Sequence, residues 1–460
     1  MLALGSRSVE SVMPFMPFMP CLIRRFLAGL ALAAGLATLA TARENDAIAG
    51  TLADELLADR VGLVREWIVQ IPFDSAGYRL QHIVVADGMV IAQSGDGGVH
   101  AVRAAALDPA SHPADGDTHG QPQVGTLLWS QRIGKVGGPV EIAGVGPTLI
   151  AVARDLDLYG LDSDTGQTRW HDRFGRIPAA GAMPSGNWVY VPLHSDGVLR
   201  LPVDPHKHNT VKRKPAVTDN KPVDKKQKLP PKPKKKAVEQ KTPESLAPFL
   251  IDAGGLLEQA PIPLADGILW CTTNGTLVAL ERKENEWQRH QFLLGSPPAG
   301  PPRVRGNAIF ATTVEKTLVR IDLLESGGSG LQLNWQVSLR AQSDPGVFLS
   351  ADTLVVSLGD AGIEAFSTET GKFLWHSPLA GQILAANVED VWCIDRTGRL
   401  ASLDLADGSR KHRANLGIFS LPVVNATSDR LMLASPDGVL VSLAPRRIAP
   451  AQAPRPAPTK

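Results

Sequence analysis

The chain has 460 residues, of which 43% are hydrophobic and 20% charged, and its formal net charge is +1. This length is far more than one small core needs, and the composition is ordinary for a soluble globular protein. Three cysteines are too few for a disulfide scaffold, and Cys271 and Cys393 lie in apolar runs, where we expect buried free thiols.

The first 42 residues have the pattern of an export signal. The basic pair Arg24-Arg25 precedes an apolar run over 26–40, and a small-x-small cleavage site follows at 40–42. The run is shorter than the ~20 apolar residues of a typical membrane-spanning helix. The pattern predicts a signal peptide over 1–42 and localisation to the periplasm or cell envelope, with an uncleaved membrane anchor as the alternative.

A linker with a short helix is predicted over 43–62. Thr51 with Asp54 resembles a helix capping box. The apolar residues of 67–69 then form a predicted strand that has no partner next to it in the sequence.

From Leu80 to Leu443 a strand–turn–strand unit repeats eight times. The residues that precede the eight apolar runs are Gly88, Pro147, Asn187, Gly267, Asn307, Asp352, Asp390 and Arg430. The last five are spaced by 40, 45, 38 and 40 residues. Short strands at this period, separated by Gly and Asp turns, predict propeller blades of four strands. No helical periodicity separates the strands, which argues against a parallel sheet.

A tryptophan recurs at the start of the last strand of the unit. We assign this position to Trp129, Trp170, Trp287, Trp335 and Trp375, with His412 in the seventh unit and no tryptophan in the third. The eighth unit lacks its outer strand, which 65–69 can supply. The chain is therefore predicted to be all-β, an eight-bladed β-propeller of four-stranded antiparallel blades over 63–446, closed by an N-terminal strand. A flexible Pro-rich tail is expected over 447–460.

The stretch 204–248 interrupts the third blade with a different composition. Between His206 and Lys241 it carries 13 lysines and arginines against three acidic residues, so its charge is about +10 and that of the remaining chain about −9. Such a segment buries too little apolar surface to fold, and we expect disorder.

The candidate partner-binding residues are Lys225, Lys226, Lys228, Lys232, Lys234, Lys235 and Lys236. They could contact an anionic membrane, a wall polymer or an acidic protein, while a solvated insertion without a partner is the alternative.

Several motifs resemble the PQQ-like (pyrrolo-quinoline quinone) β-propeller repeat. They include Gly197-Val198-Leu199, Gly275-Thr276-Leu277 and two Thr-Gly turns, 165–166 and 370–371, each followed four residues later by a tryptophan. The resemblance implies the fold and leaves function open, because such propellers serve both quinoprotein dehydrogenases and non-enzymatic, BamB-like envelope scaffolds.

Catalytic motifs are missing from the sequence. A quinoprotein dehydrogenase is expected to show an adjacent cysteine pair and a calcium site, and neither is recognisable. The loop that starts at Asp162 fails as a calcium EF-hand, because Gln167 and Arg173 occupy its Gly and Glu positions. We therefore assign no catalytic, cofactor or metal residue and expect no nucleic-acid partner. The resemblance implies an exported, non-catalytic, monomeric scaffold for an envelope protein. The alternatives are a PQQ-dependent oxidoreductase and a small-ligand- or glycan-binding propeller.

Overall fold

The structure, a computed structural model, describes most of the chain after residue 50. The described ranges are 51–86, 88–104, 123–133, 140–142, 144–146, 148–153, 157–173, 175–195, 197–204, 249–283, 286–324, 330–344 and 346–446. The predicted signal peptide, basic insertion and tail lie outside them. Within these ranges, no helix is long and apolar enough to cross a membrane.

The first elements along the chain are one helix and one strand, α1 (Glu55–Arg60) and β1 (Leu63–Gln70). Blade 1 consists of β2 to β5, which are Leu80–Ala86, Met89–Ser94, Gly98–Arg103 and Leu127–Arg132. Blade 2 consists of β6 to β9, which are Val140–Glu141, Thr148–Ala153, Asp157–Asp162 and Thr168–Arg173. Blade 3 consists of β10 to β13, which are Met183–Ser185, Trp188–Leu193, Gly197–Pro202 and Phe249–Asp252. Blade 4 consists of β14 to β17, which are Ile262–Leu264, Gly267–Cys271, Thr276–Lys283 and Glu286–Leu293.

The second half of the chain continues the same order. Blade 5 consists of β18 to β21, which are Arg303–Arg305, Ala308–Thr312, Thr317–Leu324 and Gly330–Ser338. Blade 6 consists of β22 to β25, which are Val347–Ser350, Thr353–Ser357, Ile363–Ser367 and Phe373–Ser377. Blade 7 consists of β26 to β29, which are Gly381–Ala386, Asp390–Asp395, Leu400–Asp404 and Arg410–Ala414. Blade 8 contains β30 to β32, which are Leu421–Pro422, Leu431–Ala434 and Val439–Pro445, together with β1.

These eight four-stranded antiparallel sheets form a ring, which confirms the predicted eight-bladed β-propeller. The apolar runs that mark the repeat are the second strands of the blades. Every residue of β3 and of β11 is buried, because neighbouring blades cover both faces of these strands. In six of the eight blades the first strand is shorter than the second, and first strands of neighbouring blades contact one another around the central channel, as β18 contacts β22.

A contact between tryptophan and glycine joins successive blades. Trp129, on the outermost strand of blade 1, pairs with Ala101. Its indole Nε1 donates a hydrogen bond to the carbonyl oxygen of Ser163 in blade 2, at 2.8 Å. Gly166 of the same turn has φ +68°, and a Cβ on it would lie 2.4 Å from the Trp129 ring. This turn therefore needs glycine for its backbone angle and for the close approach of the indole.

The same contact closes the ring at blade 8. Strand β1 pairs with β32 from Leu63 opposite Pro445 to Gln70 opposite Val439. It carries Trp67, whose side chain would lie 2.3 Å from a Cβ on Gly125 in blade 1. The N-terminal strand thus completes the last blade, as predicted, and also joins that blade to the first.

The register corrects the position predicted for one tryptophan. Trp287 pairs with Arg282, whereas His290 lies opposite Ala279, the small residue at the middle of the third strand. In blade 3 the equivalent position belongs to Phe249, opposite Arg200. Spacing from a turn did not fix the register in blade 4, because its third and fourth strands form a longer hairpin.

The segment before β1 packs beside the end of blade 8 and the connection that leads into that blade. Helix α1 is capped by Asp54, whose carboxylate accepts a hydrogen bond from the Leu56 backbone, so the predicted capping role of Thr51 was wrong. Leu52 and Ala53 are fully buried, and the carbonyl of Ala53 accepts a hydrogen bond from Arg65 at 3.0 Å. The helix is therefore held by burial of the residues that precede it.

Replacing Trp67 with Ala is expected to destabilise the whole ring. The change removes a buried indole from the contact that closes the propeller, and such losses cost about 3–5 kcal/mol. Thermal unfolding should show a clearly lower melting temperature. Val64→Ala, at a position 45% exposed on the same strand, is the control and should change little. An unchanged melting temperature for Trp67→Ala would show that this contact does not stabilise the closed ring.

Candidate functional site

The propeller has two faces that differ in their connections. One, here called the linker face, carries the connections between blades and the turns between second and third strands. The other carries the turns between first and second strands and between third and fourth strands. The predicted basic site, Lys225 to Lys236, lies outside the described residues. The chain leaves β12 at Asp204 and returns at Phe249, between a third and a fourth strand, so the insertion starts and ends at the face opposite the linker face.

Four exposed apolar side chains lie on the linker face of blades 3 to 5. Ile177 is 60% exposed, Leu256 50%, Leu293 73% and Val314 38%. We call these four residues the apolar rim. Single exposed apolar residues are normal, but their recurrence on one face of three successive blades is typical of an interaction surface.

Backbone hydrogen bonds hold the apolar rim in a repeated geometry. The carbonyl oxygen of Ile177 accepts from the His194 amide at 3.1 Å, and that of Leu256 accepts from the Thr273 amide at 2.9 Å. The Val314 amide donates to the Pro297 carbonyl in the same way, at 2.9 Å. In each case the connection that enters a blade is joined to the turn between that blade's second and third strands. The rim is thus a surface on fixed backbone, which the sequence analysis did not identify.

A buried arginine lies where blade 3 lacks its tryptophan. The side chain of Arg200 is buried, and its Cζ lies 4.2 Å from the centre of the Trp188 ring and 4.8 Å from that of Trp287. The Phe249 ring is 5.7 Å away and is 57% exposed. These cation–π contacts connect blades 3 and 4 in place of the tryptophan–glycine contact. They also account for the unexpected position of Trp287.

A buried serine–histidine pair in blade 1 has the composition of a hydrolase site but a different geometry. His100 Nε2 lies 3.0 Å from Ser94 Oγ, and its Nδ1 lies 2.8 Å from Ser130 Oγ. Asp96 accepts a hydrogen bond from Ser94 at 2.5 Å and from Arg132 at 3.1 Å, and the described contacts include none between Asp96 and the histidine ring. In a catalytic triad the carboxylate orients the histidine, which Asp96 does not do here.

The same position in other blades explains this cluster as turn capping. Thr272 Oγ1 accepts from the Thr276 amide at 3.1 Å, and Ser435 Oγ accepts from the Val439 amide at 3.0 Å. In blade 1 the Gly98 amide instead donates to Asp96, at 3.1 Å. Polar side chains therefore close the turn between second and third strands around the ring, and Ser94 belongs to that set.

The two described cysteines are unreactive. Cys271 and Cys393 are buried free thiols, as predicted, and burial raises the pKa of each to about 12. Thiolate is the reactive form, so neither thiol is a nucleophile at neutral pH. Among the described residues, no cluster of three or more His, Cys, Asp or Glu side chains is arranged to hold a metal ion.

Removal of His100 is expected to change how stability depends on pH. Burial lowers the pKa of His100 to about 4, from an ordinary value of 6.5. Between these values the unfolded chain binds a proton that the folded protein does not, so stability falls as the pH falls, by up to about 3 kcal/mol. Urea unfolding at pH 7 and pH 4.5 should show a smaller decrease for His100→Gln than for the wild type. Ser130→Ala, which keeps the imidazole, should retain the decrease. An identical pH dependence in His100→Gln would contradict this assignment.

Comparison with known proteins agrees with the fold. Residues 328–447 match the family model described as outer membrane protein assembly factor BamB. The structure is similar to the crystal structure of BamB from Moraxella catarrhalis, with a TM-score of 0.55 and 19% identity, over 83% of this chain and 97% of that one. It is also similar to the computationally designed Ika8 protein, with a TM-score of 0.50 and 12% identity, over 79% and 96% of the two chains. No curated protein sequence matches the chain.

The matched region contains one of the motifs that carry the resemblance, the Thr-Gly turn at 370–371. It includes blade 6, in which the turn at 370–371 packs on Trp335 and Trp375 reaches blade 7. At these identities the two structures bear on the fold alone. The chain is therefore a propeller of PQQ-like repeats that has the fold of BamB.

Proposed function

We propose that this protein is a non-catalytic scaffold that binds a protein partner in the cell envelope, in the manner of BamB. The observation that carries the proposal is the apolar rim, Ile177, Leu256, Leu293 and Val314, on one face of three successive blades. A partner that covers these side chains removes apolar surface from water, which is the main driving force of protein association. The fold supports the same conclusion at the level of the family.

The positions of the rim side chains are better suited to binding a partner than to stabilising the fold. Leu256 and Val314 have carbonyl or amide groups in backbone hydrogen bonds, while their side chains are exposed. A side chain that stabilises the fold would be buried against a neighbouring blade, as Trp170 is. The backbone that carries these exposed side chains is already ordered. Binding a partner there therefore costs less conformational entropy.

Introducing charge into the rim should abolish partner binding without unfolding the ring. We expect the triple variant Ile177→Lys, Leu256→Lys, Val314→Lys to fail to form a complex that the wild-type protein forms in envelope extracts. A photo-crosslinking residue at position 293 should give a specific adduct in the wild type and none in the triple variant. The reason is that removing one side chain at a binding hot spot typically weakens association by about 2 kcal/mol or more.

The matched control uses the opposite face. Val388 is 72% exposed and Val424 is 38% exposed, and both lie in turns between first and second strands. Val388→Lys with Val424→Lys should retain the complex. Equal weakening in both variants, or an adduct that persists in the triple variant, would overturn the assignment of the rim.

The basic insertion is proposed as a second, electrostatic contact with an anionic membrane or wall polymer. Seven lysines between Lys225 and Lys236 would each contribute about 1 kcal/mol near an anionic surface. Deletion of 206–241 should abolish co-sedimentation with vesicles of anionic phospholipid and leave the melting temperature nearly unchanged. High salt should release the wild-type protein from the same vesicles. Salt-insensitive binding, or binding that survives the deletion, would contradict this role.

A further inference from the structure

Two arginines lie side by side on the first strand of blade 5. Strand β18 consists of three residues, Arg303, Val304 and Arg305, so the two arginines are on the same face and about 7 Å apart along the strand. Arg303 Nε donates a hydrogen bond to the carbonyl oxygen of Val347 at 3.2 Å. Arg305 Nη1 donates to the carbonyl oxygen of Ala351. Both acceptors are in blade 6, so both side chains reach across the junction of the two blades beside the central channel.

Neither guanidinium forms an ion pair with a described residue. Other arginines nearby do: Arg320 contacts Asp322 at 2.8 Å, and Arg340 contacts Glu364 at 2.6 Å. A guanidinium has five N–H donors, and the described contacts of Arg303 use one of them. Burial lowers the pKa of Arg303, which reflects the cost of keeping a positive charge in a partly desolvated position.

Both side chains are partly open to solvent. Arg303 is half-buried and Arg305 is exposed. Arg303 contacts the first strand of blade 6, and Arg305 contacts the turn that follows that strand. Arg305 also lines a cleft of about 480 Å³ at the face opposite the linker face, together with Asn307 and the Arg320–Asp322 pair. That pair is internally neutral, so the charge available to a ligand in this cleft is that of Arg305.

We propose that Arg303 and Arg305 form a binding site for a small oxyanion of the carboxylate, phosphate or sulfate type, at the junction of blades 5 and 6. A planar guanidinium binds such groups through two parallel N–H donors, which makes these bonds short and strong. Two arginines on the same face of one strand, two residues apart, suit a ligand with more than one anionic group. An anion here would offset the buried charge of Arg303. This site is separate from the apolar rim and does not depend on the proposed partner role.

The competing interpretation is that both arginines only connect the blades through Val347 and Ala351. Stability measurements alone do not separate the two interpretations, because either one makes a substitution destabilising. Anion binding does separate them, since a purely structural arginine leaves the affinity for a ligand unchanged.

The test is calorimetric titration of the full chain with inorganic phosphate and with citrate, at an ionic strength held constant with chloride. We expect both anions to bind, and citrate more tightly because it can contact both guanidinium groups. Arg303→Gln should weaken binding of each at least about tenfold, the effect expected for removing a hydrogen bond to a charged group. Arg305→Gln should weaken citrate binding more than phosphate binding. Arg303→Lys keeps the charge and should give an intermediate affinity.

The matched control is Arg289→Gln. Arg289 also donates to a carbonyl of the neighbouring blade, that of Asp252 at 2.9 Å, but on the outermost strands. It should bind both anions as the wild type does. No binding by the wild-type protein, or equal binding by the wild type and a folded Arg303→Gln or Arg303→Lys variant, would overturn the proposal. Equal weakening in Arg289→Gln would also overturn it, since that result indicates a general effect of surface charge.

Discussion

The ring depends on the contact between an indole and a residue that has no Cβ. In blade 5, Trp335 Nε1 donates to the Thr368 carbonyl of blade 6 at 3.2 Å, and a Cβ on Gly371 would lie 2.7 Å from its ring. The contact combines burial of a large side chain with a satisfied indole N–H, and replacing either partner weakens it. Four junctions among the described blades use this contact, including the junction of the last blade with blade 1, which therefore also needs a tryptophan. Trp67 provides it, which is why a strand from before blade 1 belongs to blade 8.

The positions where this contact is missing follow from the connections of the chain. The tryptophan of one blade packs on the turn between the third and fourth strands of the next. Blade 8 has no such turn, because its third and fourth strands are β32 and β1, and blade 7 accordingly carries His412 in place of a tryptophan. Between blades 3 and 4 the cation–π contacts of Arg200 replace the tryptophan–glycine contact. Blade 2 keeps the hydrogen bond of this contact, since Trp170 donates to the Val203 carbonyl at 2.8 Å, just before the chain enters the insertion.

Strands that are buried on both faces could be predicted from the sequence, whereas strands that are not buried on both faces could not. Second strands such as β11 are continuous apolar runs, so the repeat and the number of blades could be predicted. First strands such as β10, with three residues at the edge of the channel, are too short to show a period. Trp287 was misplaced because strand register depends on pairing and not on distance from a turn. The pairing state of Arg303 could not be predicted either, because its neighbours come from another blade.

The residues that stabilise the ring are separate from the proposed binding surfaces. The residues that hold the ring lie on the outermost strands and in the turns that cover them, whereas the apolar rim lies on the linker face and Arg303 beside the channel. The stability of the ring therefore depends little on Ile177 or Leu256, whose side chains are exposed. Exposed apolar residues at such positions lower the solubility of a propeller. A bound partner that covers them removes this penalty. The insertion lies between β12 and β13 of blade 3, and the cation–π stack around Arg200 joins that blade to blade 4.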